Sequence, residues 1–161
     1  MGIFSNIYDE DTLRKIEFLR RIKLFEGINK KNLIHVLENL QERTYLKGET
    51  IFAEGDIGRA LFIVFSGKIT LNKLNPETGK ADPLAVVNPG EFFGEMALLE
   101  EMPRSAGAAA AEETQVFMLF KTKLESLLFS YPRIGVVIAS QLAKILSARL
   151  RAKTEKVVEE A

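Results

Sequence analysis

Cysteine is absent from the 161 residues, which excludes a disulfide framework and any thiolate chemistry. Histidine is nearly absent too. His35 stands alone, and zinc or iron sites draw on several His, Cys or carboxylate ligands, so no metal centre is expected. Lying beside a helical apolar stripe, His35 reads as an ordinary surface residue. Charge of one sign is also lacking: 22 basic residues meet 22 acidic ones, and the pI is near 6.6. A neutral chain has no electrostatic footprint for nucleic acid, so no nucleic-acid partner is expected.

Long apolar runs are missing. Ala60–Phe65 is the longest, far too short to cross a bilayer, so no membrane partner is expected. The opening "MGIFSNIYDEDT" has neither the layout of a secretory leader nor a myristoylation pattern, since Asn6 stands where Ser or Thr is needed. The expected location is the cytoplasm. No G-x-S-x-G elbow, Walker loop or G-x-G-x-x-G is present, and Ser66 and Ser140 have no base nearby in sequence. The expectation is a protein that is not an enzyme.

What is present falls into three zones within one domain spanning residues 1–161. From 9 to 41 the period is helical: "DEDTLRKIEFLRRIKLF" begins with acids that suit a helix N-terminus, and Leu33, Val36, Leu37 and Leu40 form a stripe. From 43 to 120 short apolar runs are cut by Gly48, Gly55, Gly58, Gly67, Gly79 and Gly90, which predicts a β-sandwich or small barrel. From 121 to 155 helices return. Pro132 separates a short one from a long one whose Ile134, Ile138, Leu142, Ile145 and Leu146 share a side. The fold class is mainly β with flanking α. Cupin-like metal enzymes share this strand texture, but they need two or three histidines.

Chemistry concentrates in "FFGEMALLEEMPRSAGAAA", residues 92–110. Gly94 permits a tight turn, and "EMALLEE" favours a short helix whose N–H groups suit an anion. Arg104 adds a planar fork for phosphate oxygens. Ser105 brings a hydroxyl, while Ala106 and Gly107 let a ligand approach the backbone. Glu95 would repel a phosphate but accept hydrogen bonds from a sugar. The set therefore suits a phosphate and a ribose hydroxyl held a few ångströms apart. Residue chemistry leaves a second reading open: an amphipathic helix with a Glu95–Arg104 salt bridge and no ligand.

These residues resemble the phosphate-binding cassette of cyclic nucleotide-binding domains, G-E-[hydrophobic]-A-L followed by P-R-[A/S/T]-A. "GEMALLEEMPRSA" matches it without insertion. The upstream "KGETIFAEGDIGRALFIVFSGKI" resembles the same family's glycine-punctuated run, and the similarity extends from about Leu24 to Arg151. The resemblance implies an antiparallel β-roll or jelly-roll barrel with N-terminal helices and a long C-terminal helix. It implies a ligand, cyclic AMP in preference to cyclic GMP, and no further cofactor. Glu95 would take the ribose 2′-hydroxyl and Arg104 the cyclic phosphate. Backbone donors near Gly94, Met96, Ala97 and Ala106, with the Ser105 hydroxyl, would complete the anion site.

Leu84 and Val86 would wall the base. Arg149 or Leu150 would lid it, although for Arg149 a solvated helix face is the favoured reading. Leu98 would be a hydrophobic switch against Leu127 or Leu128. Serine at 105 lies between the alanine that leans toward cyclic AMP and the threonine that leans toward cyclic GMP. Gly107 stands where the family often has a bulkier residue and suggests a bulge. The expected protein is a nucleotide sensor, alone or cut from a longer chain, acting through helix rearrangement on a protein partner or a homodimer formed through the last helix. A nucleotide-independent interaction module on the same fold is the alternative.

Overall fold

The computed structural model describes residues 7–160; the reading that turned on Asn6 lies outside them. Helix α1 (Glu10–Arg20) starts where the Asp9 carboxylate accepts the Thr12 N–H at 2.7 Å, and α2 (Lys30–Glu38) where Asn29 does the same for Asn32 at 2.9 Å. Each cap satisfies one of the orphan donors at a helix start. A 3-10 turn, Lys23–Phe25, buries Leu24 and Phe25 between them.

Eight strands follow: β1 (Gln41–Tyr45), β2 (Thr50–Phe52), β3 (Ala60–Ser66), β4 (Ile69–Leu74), β5 (Ala81–Val87), β6 (Phe92–Phe93), β7 (Gly107–Ala110) and β8 (Thr114–Phe120). They form two four-stranded antiparallel sheets, ordered β1-β8-β3-β6 and β2-β7-β4-β5. The architecture is the expected one, mainly antiparallel β with flanking helices.

The apolar run of β3 has a direct structural cause. Successive strand residues face opposite ways. Leu61 and Ile63 join Phe117 and Leu119 of β8 in a core shared with the helices. Phe62 and Val64 join Val116, Met118, Ile69 and Val87 in a second core between the sheets. This sheet is buried on both faces, so neither parity of β3 can be polar.

Helix α3 (Lys121–Ser130) packs on α4 (Pro132–Glu160), which starts with proline as expected and runs past residue 155. Ile134, Ile138, Leu142 and Ile145 of α4 are buried, with Leu146 packed against the same core. His35 departs from its expected role. Its ring stacks on Tyr131 at 4.1 Å, at the joint between α3 and α4, with Nδ1 buried and the Glu38 carboxylate 3.5 Å away. Among the described residues no helix is long and apolar enough to cross a membrane.

Candidate functional site

The cassette lies between β6 and β7. Gly94 takes a left-handed conformation (φ +73°) that lets the chain turn from Phe93 into a four-residue 3-10 turn, Glu95–Leu98. This turn is shorter than the expected helix, and the Ala97 N–H already donates to the Gly94 carbonyl at 3.3 Å. An anion would therefore depend chiefly on Arg104. The loop carrying Arg104 is clamped along its backbone by the "EGDIGR" segment. Arg104 N–H donates to Asp56 O (2.7 Å), Gly55 N–H to Arg104 O (2.8 Å), and Gly58 N–H to Met102 O (3.0 Å).

The Arg104 side chain is half-buried and turned inward. Nη2 donates to Ala60 O at 2.7 Å and Nη1 to Gly94 O at 3.2 Å. Its Cζ lies 4.2 Å from the ring centroid of Phe52 and 5.7 Å from that of Phe62. Burial pushes its pKa down, opposed by the Asp56 carboxylate, yet a guanidinium stays charged. Two of its five N–H donors serve these carbonyls, which leaves donors for an anion. Space has been cleared for it. A Cβ on Gly58 would come within 2.9 Å of its Cζ, and one on Gly94 within 2.6 Å of Nη1.

Glu95 is 7% exposed. Its Oε1 pairs with Nη1 of Arg149 from α4. Among the described residues no ion pair joins Glu95 to Arg104, which removes the reading of the cassette as a ligand-free salt bridge between them. Both side chains line one cavity of about 580 Å³ together with Gly94, Met96, Ala97, Ser105 and Ala106. The Ser105 carbonyl is fixed by Lys73, whose Nζ donates to it at 2.8 Å while pairing with Glu54 at 3.1 Å. Gly107 sits beneath Asn72: a Cβ there would meet the Asn72 side-chain oxygen at 2.5 Å.

The expectations for the base wall and the lid need correction, and the one for Leu98 is narrowed to Leu127. Leu84 and Val86 are 59% and 50% exposed and lie outside the cavity wall, which Leu71 and Val87 supply instead. Val87 pairs with buried Ile69 and Ala85 with Leu71, so Val86 faces the other way; Leu84 falls in the register shift opposite Leu71 and Asn72. Leu150 is 67% exposed and is not part of the wall. Arg149, read as solvated, lines the cavity. Leu98 is buried in one core with Leu124 and Leu127, whereas Leu128 lies against Gly135 of α4.

Phe52, Phe92 and Leu71 also line the cavity and were not anticipated. The only available signal was parity within "TIF", "EFF" and "KITLNKL", which does not tell the lumen of a sheet from its outer face.

The sequence matches the family model "Cyclic nucleotide-binding domain" over residues 42–131. It is 40% identical over 128 residues to the "Cyclic AMP receptor protein" of Thermus thermophilus, covering 80% of this chain and 57% of that protein. It is 30% identical over 135 residues to a "CRP-like cAMP-activated global transcriptional regulator" of Mycobacterium tuberculosis, covering 84% and 58%. A solved cyclic nucleotide-binding domain from Methylobacillus flagellatus superposes with a TM-score of 0.77 at 26% identity, covering 94% of this chain and 85% of that one. The chain thus spans well under two thirds of the length of those two curated relatives. The expectation that no nucleic acid is involved gains no support from them, because one is named as a transcriptional regulator.

Proposed function

Since the chain belongs to the cyclic nucleotide-binding domain family, we propose that it is a cyclic nucleotide receptor that binds cyclic AMP in preference to cyclic GMP. The observation that carries this reading is a buried carboxylate and a half-buried guanidinium lining one cavity without pairing with each other. Glu95 accepts the ribose 2′-hydroxyl. Arg104 gives its spare donors to the phosphate, with the Ser105 hydroxyl beside it. Phe52, Leu71 and Val87 supply apolar wall for the rest of the ligand. The role is one of binding and not catalysis, in keeping with relatives named as receptors and regulators.

The output is a movement of helices. Leu98 follows Glu95 by three residues and shares its core with Leu124 and Leu127 of α3. Seating a nucleotide shifts the cassette turn and with it the docking of α3 and α4. The ligand drives that change only by the difference between its affinities for the two arrangements. A protein partner or a second copy would read it through α4, where Leu150, Val157 and Val158 are exposed. Light scattering with and without nucleotide tests the second copy.

Calorimetry with cyclic AMP and cyclic GMP tests the receptor itself. Saturable binding with cyclic AMP the tighter ligand is expected. Absence of heat with either nucleotide at high micromolar concentration would overturn the reading and leave a module that recognises protein through its helices.

A further inference from the structure

Three segments distant in sequence meet at the end of the cassette. Glu54 follows β2, Lys73 lies near the end of β4, and Ser105 stands just ahead of β7. Lys73 Nζ donates to the Ser105 carbonyl at 2.8 Å and pairs with Glu54 Oε1 at 3.1 Å, while Glu54 Oε2 accepts the Leu74 N–H at 2.8 Å. Both oxygens of the carboxylate are thus tied to consecutive residues of β4, which fixes where the ammonium sits. Strand pairing brings the groups together. Asn72 pairs with Gly107 in the β4–β7 ladder, so the next position of that antiparallel register sets Lys73 beside Ala106. Gly107 allows the close approach, since a Cβ there would meet Asn72 Oδ1 at 2.5 Å and Glu54 N at 3.5 Å.

Lys73 is half-exposed, and an exposed ion pair contributes little to stability. Its role lies in what it holds. Ser105 and Ala106 both line the nucleotide cavity. In a planar trans peptide the carbonyl and the following N–H point opposite ways. With the Ser105 oxygen held by Lys73, the Ala106 N–H is directed away from Lys73. Turned round, the same peptide would offer an anion the negative end of its dipole.

Resting on the receptor reading above, we propose that Lys73, seated by Glu54, is a positioning residue for the phosphate. It acts through the Ser105–Ala106 peptide. By keeping the carbonyl turned from the ligand it aims the Ala106 N–H at one phosphate oxygen and holds the Ser105 hydroxyl beside it. Arg104 supplies the charge, and the Glu54–Lys73 strap orients a neutral donor. Neither Glu54 nor Lys73 belongs to residues 92–110, so this donor is set from outside the cassette.

The test uses cyclic AMP and its two phosphorothioate stereoisomers, each with sulfur in place of a different exocyclic phosphate oxygen. Sulfur accepts hydrogen bonds weakly, so each isomer reads the donors at one oxygen. Calorimetry compares wild type with Lys73→Met, Lys73→Arg, Glu54→Gln and Lys80→Met, the last removing one charge from the loop of the same β4–β5 hairpin. Lys73→Met is expected to weaken cyclic AMP about three- to tenfold, the range for one hydrogen bond. It should shrink the sulfur penalty of one isomer and leave that of the other. Lys73→Arg keeps a cationic donor and should recover most of the affinity, and Glu54→Gln should show the Lys73→Met pattern more weakly. Lys80→Met should bind as wild type does.

Wild-type affinity in Lys73→Met, an equal loss in Lys80→Met, or sulfur penalties that change alike in the two isomers or not at all would overturn the positioning role while leaving the receptor intact. Failure of the wild type to bind cyclic AMP would instead sink the receptor reading, and this inference with it.

Discussion

The guanidinium of Arg104 lies over the face of Phe52, 4.2 Å from its centroid. The ring comes from β2, remote in sequence from the cassette, and adds an aromatic contact to the two carbonyl bonds of the guanidinium. A cation over an aromatic face gains about 0.5–2 kcal/mol. Phe52→Leu should therefore weaken cyclic AMP by about two- to thirtyfold with Arg104 unchanged. Arg104→Ala should do more, because hydrogen bonds to charged groups contribute about 1.5–3 kcal/mol each. That variant also removes the two donors that serve the Gly94 and Ala60 carbonyls, so its ligand-free Tm should fall. Arg104→Lys keeps the charge without the fork and belongs between the two. Calorimetry and thermal melts order the series, and an Arg104→Ala protein with wild-type affinity would contradict the assigned role.

Gly94 separates backbone strain from loss of the site. A side chain in the left-handed region costs about 1–2 kcal/mol, and here its Cβ would also meet Arg104 Nη1 at 2.6 Å. The guanidinium can yield only by giving up its bond to the Gly94 carbonyl. Gly90 has a similar φ of +87° but nothing within 4 Å of an added Cβ. Gly90→Ala should thus lose stability through its backbone alone and Gly94→Ala should lose more, while only Gly94→Ala loses affinity, by about tenfold for one charge-assisted bond. Equal affinities in the two variants would show that Arg104 tolerates the methyl.

Much of the domain was legible because local chemistry and global fold agree. "ALFIVF" is apolar throughout because β3 is covered on both sides, and Pro132 both stops α3 and starts α4. Residues 92–106 could be placed because their functional groups lie on one continuous stretch. What escaped depends on partners distant in sequence. "LAVV" offers apolar residues at either parity, and only the pairing of Val87 with Ile69 decides which set faces the lumen. Arg149 has the flanks of a solvated helix; its reach to Glu95 follows from where α4 crosses the domain. His35 looked like surface until Tyr131 packed over it.

Acid should loosen the cassette through Glu54. Its pKa is held below the ordinary 4.5 first by the Leu74 N–H and then by Lys73. A lowered carboxylate pKa contributes stability that is complete above the ordinary value and is lost as pH falls through the folded-state value. Lys73 links Glu54 to the Ser105 carbonyl, so the same fall in pH should weaken nucleotide binding. Glu54→Gln removes the charge at every pH. Its Tm deficit relative to wild type should be full well above pH 4.5 and should shrink below it. A deficit independent of pH would assign Glu54 a packing role alone.

Gly135 sets how closely α3 and α4 approach. Helix propensity alone favours alanine at a helix interior by about 0.8–1.0 kcal/mol, which would make Gly135→Ala stabilising. The structure opposes this: an added Cβ would meet Leu128 Cα at 2.7 Å and its Cγ at 2.8 Å. A backbone atom cannot swing aside as a side-chain tip can, so the helices must part, and overpacking of this kind costs about 1–3 kcal/mol. The steric effect should outweigh propensity and lower the Tm. Because α3 carries Leu127 in the core that holds Leu98, parting the helices should also shift nucleotide affinity. A Gly135→Ala protein melting at or above the wild-type Tm would mean that α3 slides freely on α4, and a joint so loose could not transmit movement of the cassette turn.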